Sequence, residues 1–260
     1  MGDRILHNIM PLLKLILFIF FIFICLLPFG LIAQMNIISL PKDSIIAELI
    51  LESALVVVVV SALLMMFKIF PTIYFNDVFI VRANAFSGFA KGMAVGFVLI
   101  LCCGVMLYAL GYVQLTMGKI GFAVLLGYLF YFILVAVFEE LMFRTIPLFV
   151  FAERYHFLFA ILINGLLFGF VHGGNPGFTY LAMLNITLAG VLFSVFTLIK
   201  KNISWAIGIH FSWNFTQGIL LGYKVSGTNS PGVLSAKPIG ANYLSGGTFG
   251  IEGSIICTIV

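Results

Sequence analysis

The chain has 260 residues, 63% of them hydrophobic and 8% charged, with a formal net charge of +4. Soluble domains carry about 25% charged residues, so an ordinary soluble globule is excluded and a polytopic membrane protein is expected. In such a chain positive charge reports loop topology, not nucleic-acid binding, and Cys25, Cys102, Cys103 and Cys257 lie in apolar runs with neither zinc-ligand spacing nor a disulfide framework.

An apolar stretch of about 20 residues crosses a bilayer as a helix. The first candidate is 11–33. Arg4 and Lys14 and the triplet Leu31-Ile32-Ala33 imitate a signal peptide with its cleavage site. However, the run is nearer a full span than a short h-region, so an uncleaved helix is expected. Further spans are expected at 45–67, 87–112, 119–152, 157–173, 178–199 and 203–222. The 119–152 segment is too long for one upright span, so it is tilted, broken, or a span plus an interfacial helix. Residues 223–248 are rich in Gly, Ser, Asn and Pro and read as turns. From 249 to 260 an apolar stretch covers only about 18 Å at ~1.5 Å per residue, an incomplete eighth span. The expected fold is therefore all-α, a transmembrane bundle of seven spans plus a truncated eighth. It forms a single domain over 1–260, with its motif-bearing core at about 119–222.

Lys and Arg give the orientation. With the N-terminus cytoplasmic, the inner side holds Arg4, Lys14, Lys68, Arg82, Lys91, Arg154, Lys200 and Lys201. The outer side holds Lys42, Lys119, Lys224 and Lys237. That bias obeys the positive-inside rule.

Ionisable residues at membrane depth are costly and mark function by default. Glu139 and Glu140 are adjacent, with Arg144 four residues beyond Glu140. Residues four apart share a helix face, so Arg144 lies over Glu140 and clamps it. Glu139 is rotated by about 100° and has no such partner. It is the free carboxylate, available as a general base. Phe168 and His172 are also four apart, as are His210 and Asn214.

Depth joins these sets. Residues 154–156 form the polar turn between two helices. Glu139 precedes Arg154 by 15 residues and His172 follows Phe157 by 15. At ~1.5 Å per residue both lie about 22 Å from that turn. His210 and Asn214 lie roughly 14 and 20 Å beyond Lys201 on the same count. Three helices thus offer a carboxylate, two imidazoles and an amide to one volume. His172 and His210 could bind Zn2+ as neutral imidazoles with an open water position. Alternatively they and Asn214 orient water and stabilise an oxyanion without metal. Each pair also has a bland reading: an ion-pair clamp between helices, a satisfied core histidine, or an interhelical hydrogen bond.

Other intramembrane protease chemistries fail simple searches. There is no His-Glu-x-x-His, and no serine has glycine two residues before it. The only aspartates, Asp3, Asp43 and Asp77, fall in loops or at their edges.

Glu139-Glu140-x-x-x-Arg144, Phe168-x-x-x-His172 and His210-x-x-x-Asn214 together resemble the CPBP (Abi) family. That family comprises type II CAAX prenyl proteases and bacteriocin-processing or bacteriocin-immunity proteins. Residues 246–253, Gly-Gly-Thr-Phe-Gly-Ile-Glu-Gly, look like the segment before the last helix of bacterial members. The resemblance implies an eight-helix intramembrane metalloendopeptidase in a bacterial plasma membrane. Glu139 would activate water, Glu140 would pair with Arg144, and His172, His210 and Asn214 would complete the site. The substrate would be a peptide or protein, membrane-associated or prenylated in CAAX processing. Two rivals remain on the sequence: a non-enzymatic immunity or scaffold protein on the same fold, and a proton-coupled transporter. The second should show inverted repeats, and none is evident.

Overall fold

The structure, a computed structural model, describes residues 2–35 and 44–260, with side chains from residue 9 onward except residue 33. The expected outer-side Lys42 and the loop residue Asp43 lie outside the described residues. Seven helices come first: α1 (Gly2–Gln34), α2 (Ile45–Ile69), α3 (Ala85–Ala109), α4 (Phe122–Arg144), α5 (Ile146–Arg154), α6 (Phe157–Val171) and α7 (Tyr180–Lys200). Side-chain caps start two of them where the sequence offers a hydroxyl: Ser44 accepts from Ala47 N and Thr179 from Ala182 N.

Among the described residues six stretches are long and apolar enough to cross a membrane. The expected 119–152 segment is one of them, and it is broken. Pro147 has no N–H and its ring clashes with the carbonyl four residues back, so α4 stops at Arg144 and α5 restarts after Thr145. The carbonyl that Pro147 releases, Phe143 O, accepts from Asn164 Nδ2 of α6 at 2.8 Å. Asn164 is steadied in turn by Ser194 Oγ of α7 at 2.9 Å. The polar pair thus joins three helices at the kink beside the glutamates.

The seventh span is shorter than expected. Residues 203–222 form a 12-residue helix, α8 (Ser204–Phe215), continued by one π turn at Thr216–Leu220. It is buried along most of its length and packs on α3, α4 and α7. Protein encloses most of its surface. Apolar composition alone cannot separate protein from lipid surroundings.

The close approach of α3 to α8 has a sequence basis in Gly88, Gly92 and Gly96, spaced every fourth residue. A side chain at Gly92 would meet the backbone of Trp205 and Ile209, and one at Gly208 the backbone of Phe89. Small residues at this spacing let membrane helices touch backbone to backbone. Gly165 and Gly169 play the same part where α6 meets Thr187 of α7.

The C-terminal third departs furthest from expectation. Gly111, at φ +75°, ends the turn after α3. The chain then forms β1 (Val113–Met117), which pairs antiparallel with β2 (Leu234–Pro238), the one sheet among the described residues. A single turn of helix, α9 (Asn242–Ser245), follows. The expected incomplete eighth span opens with a 3-10 turn at Ile251–Gly253 and holds a short helix, α10 (Ile255–Ile259). Gly250 at φ +111° turns the chain ahead of it. The Ser254 hydroxyl then caps α10 by accepting from Cys257 N at 3.3 Å.

Candidate active site

The three motifs converge. Glu139 and Glu140 lie in the last turns of α4. His172 is the C-cap of α6, where Gly173 and Gly174 end the helix in a 3-10 turn. His210 and Asn214 lie on α8. Glu139 Oε2 stands 3.8 Å from His172 Nε2 and 3.9 Å from His210 Nε2. This oxygen is buried and has no hydrogen-bond partner. All of these except Glu140 line one cavity of about 150 Å³, together with Asn214 and Phe168.

Glu140 does more than clamp Arg144. Its Oε2 lies 3.1 Å from Arg144 Nε and its Oε1 2.9 Å from His210 Nδ1, with no part of the side chain exposed. Arg144, also fully buried, donates from Nη2 to Gly190 O at 3.2 Å and lies 4.3 Å above the Phe168 ring. Phe193 stacks on His210 at 5.2 Å. A guanidinium in an apolar interior is tolerable only with such charge and π partners.

The outer ring nitrogens fix the tautomers. His172 Nδ1 lies 2.8 Å from Phe168 O, which only accepts, so Nδ1 carries the proton. His210 Nδ1 faces the Glu140 carboxylate and is assigned the same way. In the neutral rings both Nε2 atoms are therefore acceptors, and both face the acceptor Glu139 Oε2. Three acceptors around one space call for a donor, and a water can donate to two of them at a time.

Ligands bound tetrahedrally to zinc at ~2.1 Å lie about 3.4 Å from one another, closer than the 3.8 and 3.9 Å observed here. Among the described residues no group of three or more His, Cys, Asp or Glu side chains is arranged to hold a metal ion. The spacing lies between that zinc value and the about 4.6 Å expected for groups each ~2.8 Å from one tetrahedral water oxygen. The Zn2+ expected on His172 and His210 thus does not match the side chains as placed.

Sequence reasoning overlooked several cavity residues. Glu48 and Glu52 of α2 also line it, with Tyr128 and Tyr131 of α4. Tyr128 hydrogen-bonds Glu48. The signal was available, since two glutamates four apart inside an apolar span share a face. Glu252, Asn175 and Ser226 complete another part of the wall. Nothing in local spacing pointed to them, because they meet only through the fold.

Residues 121–216 match the sequence model of the family described as type II CAAX prenyl endopeptidase Rce1-like. No curated protein and no solved structure matches the chain. The matched span takes in α4 to α8 and every residue of the three motifs. Over that span the chain is similar to the CAAX-protease family that its motifs resemble.

Proposed function

We propose that the protein is an intramembrane endopeptidase in which Glu139 activates the attacking water. The observation that carries this reading is the buried, unpartnered Glu139 Oε2 facing two imidazole nitrogens at water-bridging distance. A water held there donates one proton to Glu139 as its oxygen attacks the peptide carbonyl carbon. The neutral His172 ring accepts the second hydrogen of the water and orients its lone pair. Asn214 donates its amide to the carbonyl oxygen as that oxygen gains charge. His210 joins it as a donor from Nε2 when the ring carries a second proton. Glu139 then returns its proton to the leaving amine, and the C–N bond breaks. Glu140 and Arg144 keep His210 in register, and Phe168 floors the arginine.

The substrate in this reading is a peptide segment at the membrane, with prenylated CAAX ends as the finer assignment. The Lys and Arg bias supports a cytoplasmic N-terminus in this reading, with a bacterial plasma membrane as the finer assignment. The test is cleavage of a peptide library by purified protein in detergent or nanodiscs. Glu139→Gln keeps the shape and cannot take the proton, so cleavage should fall about 10²–10⁴-fold at unchanged Tm. Cleavage by the variant at the native rate would end the reading. A cellular role that survives Glu139→Gln would favour the immunity or scaffold alternative.

A further inference from the structure

Val225, Ser226, Thr228, Asn229 and Ser230 line the cavity, and they do so in a conformation that the chain does not adopt unaided. Ser226 has φ +46°, in the left-handed region. A non-glycine residue stays there only when its surroundings hold it. The hold comes from two sides. Ser226 N donates to Glu252 Oε2 at 2.9 Å and Ser226 Oγ to Oε1 at 3.4 Å. Asn175 Nδ2 donates to Ser226 O at 3.0 Å.

Glu252 lies in the C-terminal 3-10 turn and is almost fully buried. Gln217 Nε2, from the π turn after α8, donates to its Oε2 at 2.8 Å. Trp213 Nε1, from α8 itself, donates to Oε1 at 3.3 Å. The four donors fill the usual capacity of the two carboxylate oxygens, so the group is committed to the protein and not to a ligand. Its backbone is fixed as well, because Asn185 Nδ2 of α7 donates to Glu252 O at 2.7 Å and to Ser254 O at 2.9 Å.

We propose that Glu252 is a positioning residue, holding Ser226 left-handed and so fixing 225–230 as a substrate-facing wall tied to the helix that carries His210 and Asn214. For its kinetic consequence the proposal rests on the peptidase reading; for its structural consequence it does not. In Glu252→Gln one oxygen becomes an NH2 group, which must face at least one of the four donors. Against a peptide that the native protein cleaves, KM should rise about tenfold while kcat stays within about threefold. Glycine takes positive φ at no steric cost, so Ser226→Gly in the Glu252→Gln background should recover most of the KM change, with the Ser226→Gly single variant as reference. If Glu252→Gln does not accumulate folded, Asn175→Ala removes the other half of the clamp and should raise KM in the same way.

An unchanged KM in these variants, a loss confined to kcat, or no recovery with glycine would each overturn the proposal. A second readout needs no activity. In a Trp205→Phe background Trp213 is the one tryptophan left, because the chain has 2. Adding Glu252→Gln frees its indole and should raise acrylamide quenching about twofold. Unchanged quenching sinks the proposal even where no peptide is cut. Raised quenching in a protein that cuts nothing rejects the peptidase reading alone.

Discussion

The cavity has two unlike walls, and each encloses one carboxylate. On the helical wall Glu140 is fully buried against a cation, Arg144, and an imidazole, His210. On the loop wall Glu252 is nearly as buried, yet all of its partners are neutral: an indole, an amide, a hydroxyl and a backbone N–H. A buried ion pair is all or nothing, because removing one charge strands the other in an apolar medium. A carboxylate held by several neutral donors divides its cost among them, so partial loss is survivable. The helical wall therefore stakes its stability on one ion pair, whereas the loop wall should tolerate change without unfolding the site.

The sharpest way to break this contrast is Glu140→Gln. It strands Arg144, which has no exposure and only Gly190 O and aromatic faces besides Glu140. The expected loss is about 3–5 kcal/mol, read as a large fall in folded yield and Tm. Any folded remainder should also be poorly active, because His210 Nδ1 loses its carboxylate acceptor. Glu252→Gln should cost clearly less stability than Glu140→Gln. Equal melting temperatures for the two variants would erase the distinction between the walls.

The same contrast explains what could be read from the sequence. Glu140 with Arg144, Phe168 with His172, and His210 with Asn214 are each four apart, and helical rise set the depth of these sets and of Glu139, so their meeting was legible even though His172 falls at the end of α6. The role of Glu140 toward His210 was not, because those residues are 70 apart in sequence. Apolar runs showed where helices lie but not what surrounds them, so the enclosure of most of α8 by protein was not legible. The break at Thr145 was left open although Pro147 marks it. The loop wall was legible only as turns. Its polar residues meet through contacts such as Ser226 to Glu252, 26 residues apart and on no shared helix.

A smaller effect should come from the seam behind the helical wall. In Gly92→Ala the new methyl would enter the Trp205 carbonyl and the Ile209 backbone. Backbone cannot move aside as a flexible side chain does, so α3 and α8 must separate. Overpacking of this kind costs about 1–3 kcal/mol, against a helix-propensity gain of up to about 1 kcal/mol for alanine over glycine. A Tm drop of a few degrees is expected, with reduced turnover because α8 carries His210 and Asn214. Ala94→Val, on an exposed face of the same helix, should change neither. A Gly92→Ala protein as stable as the native one would mean that α3 does not set the position of the helical wall.

The smallest effect expected is that of chelation. Both imidazoles of the helical wall have their outer nitrogens anchored, to Phe168 O and to Glu140, as ligated histidines usually do. That leaves their chemistry suited to a cation, so the decision falls to distance. Glu139 Oε2 is 3.8 and 3.9 Å from the two Nε2 atoms, wider than about 3.4 Å for a shared tetrahedral zinc, and a water at ~2.8 Å from each would bridge them through bent hydrogen bonds. Closing the gap would require moving Glu139 on α4 or shifting a ring whose outer nitrogen is already bonded. Protein treated with a strong chelator and then dialysed should cleave within about twofold of the untreated rate, since direct proton transfer to Glu139 needs no ion. Stoichiometric zinc by elemental analysis, with activity lost on its removal and regained on its return, would show that the helical wall contracts around a metal and that water is not what the three acceptors share.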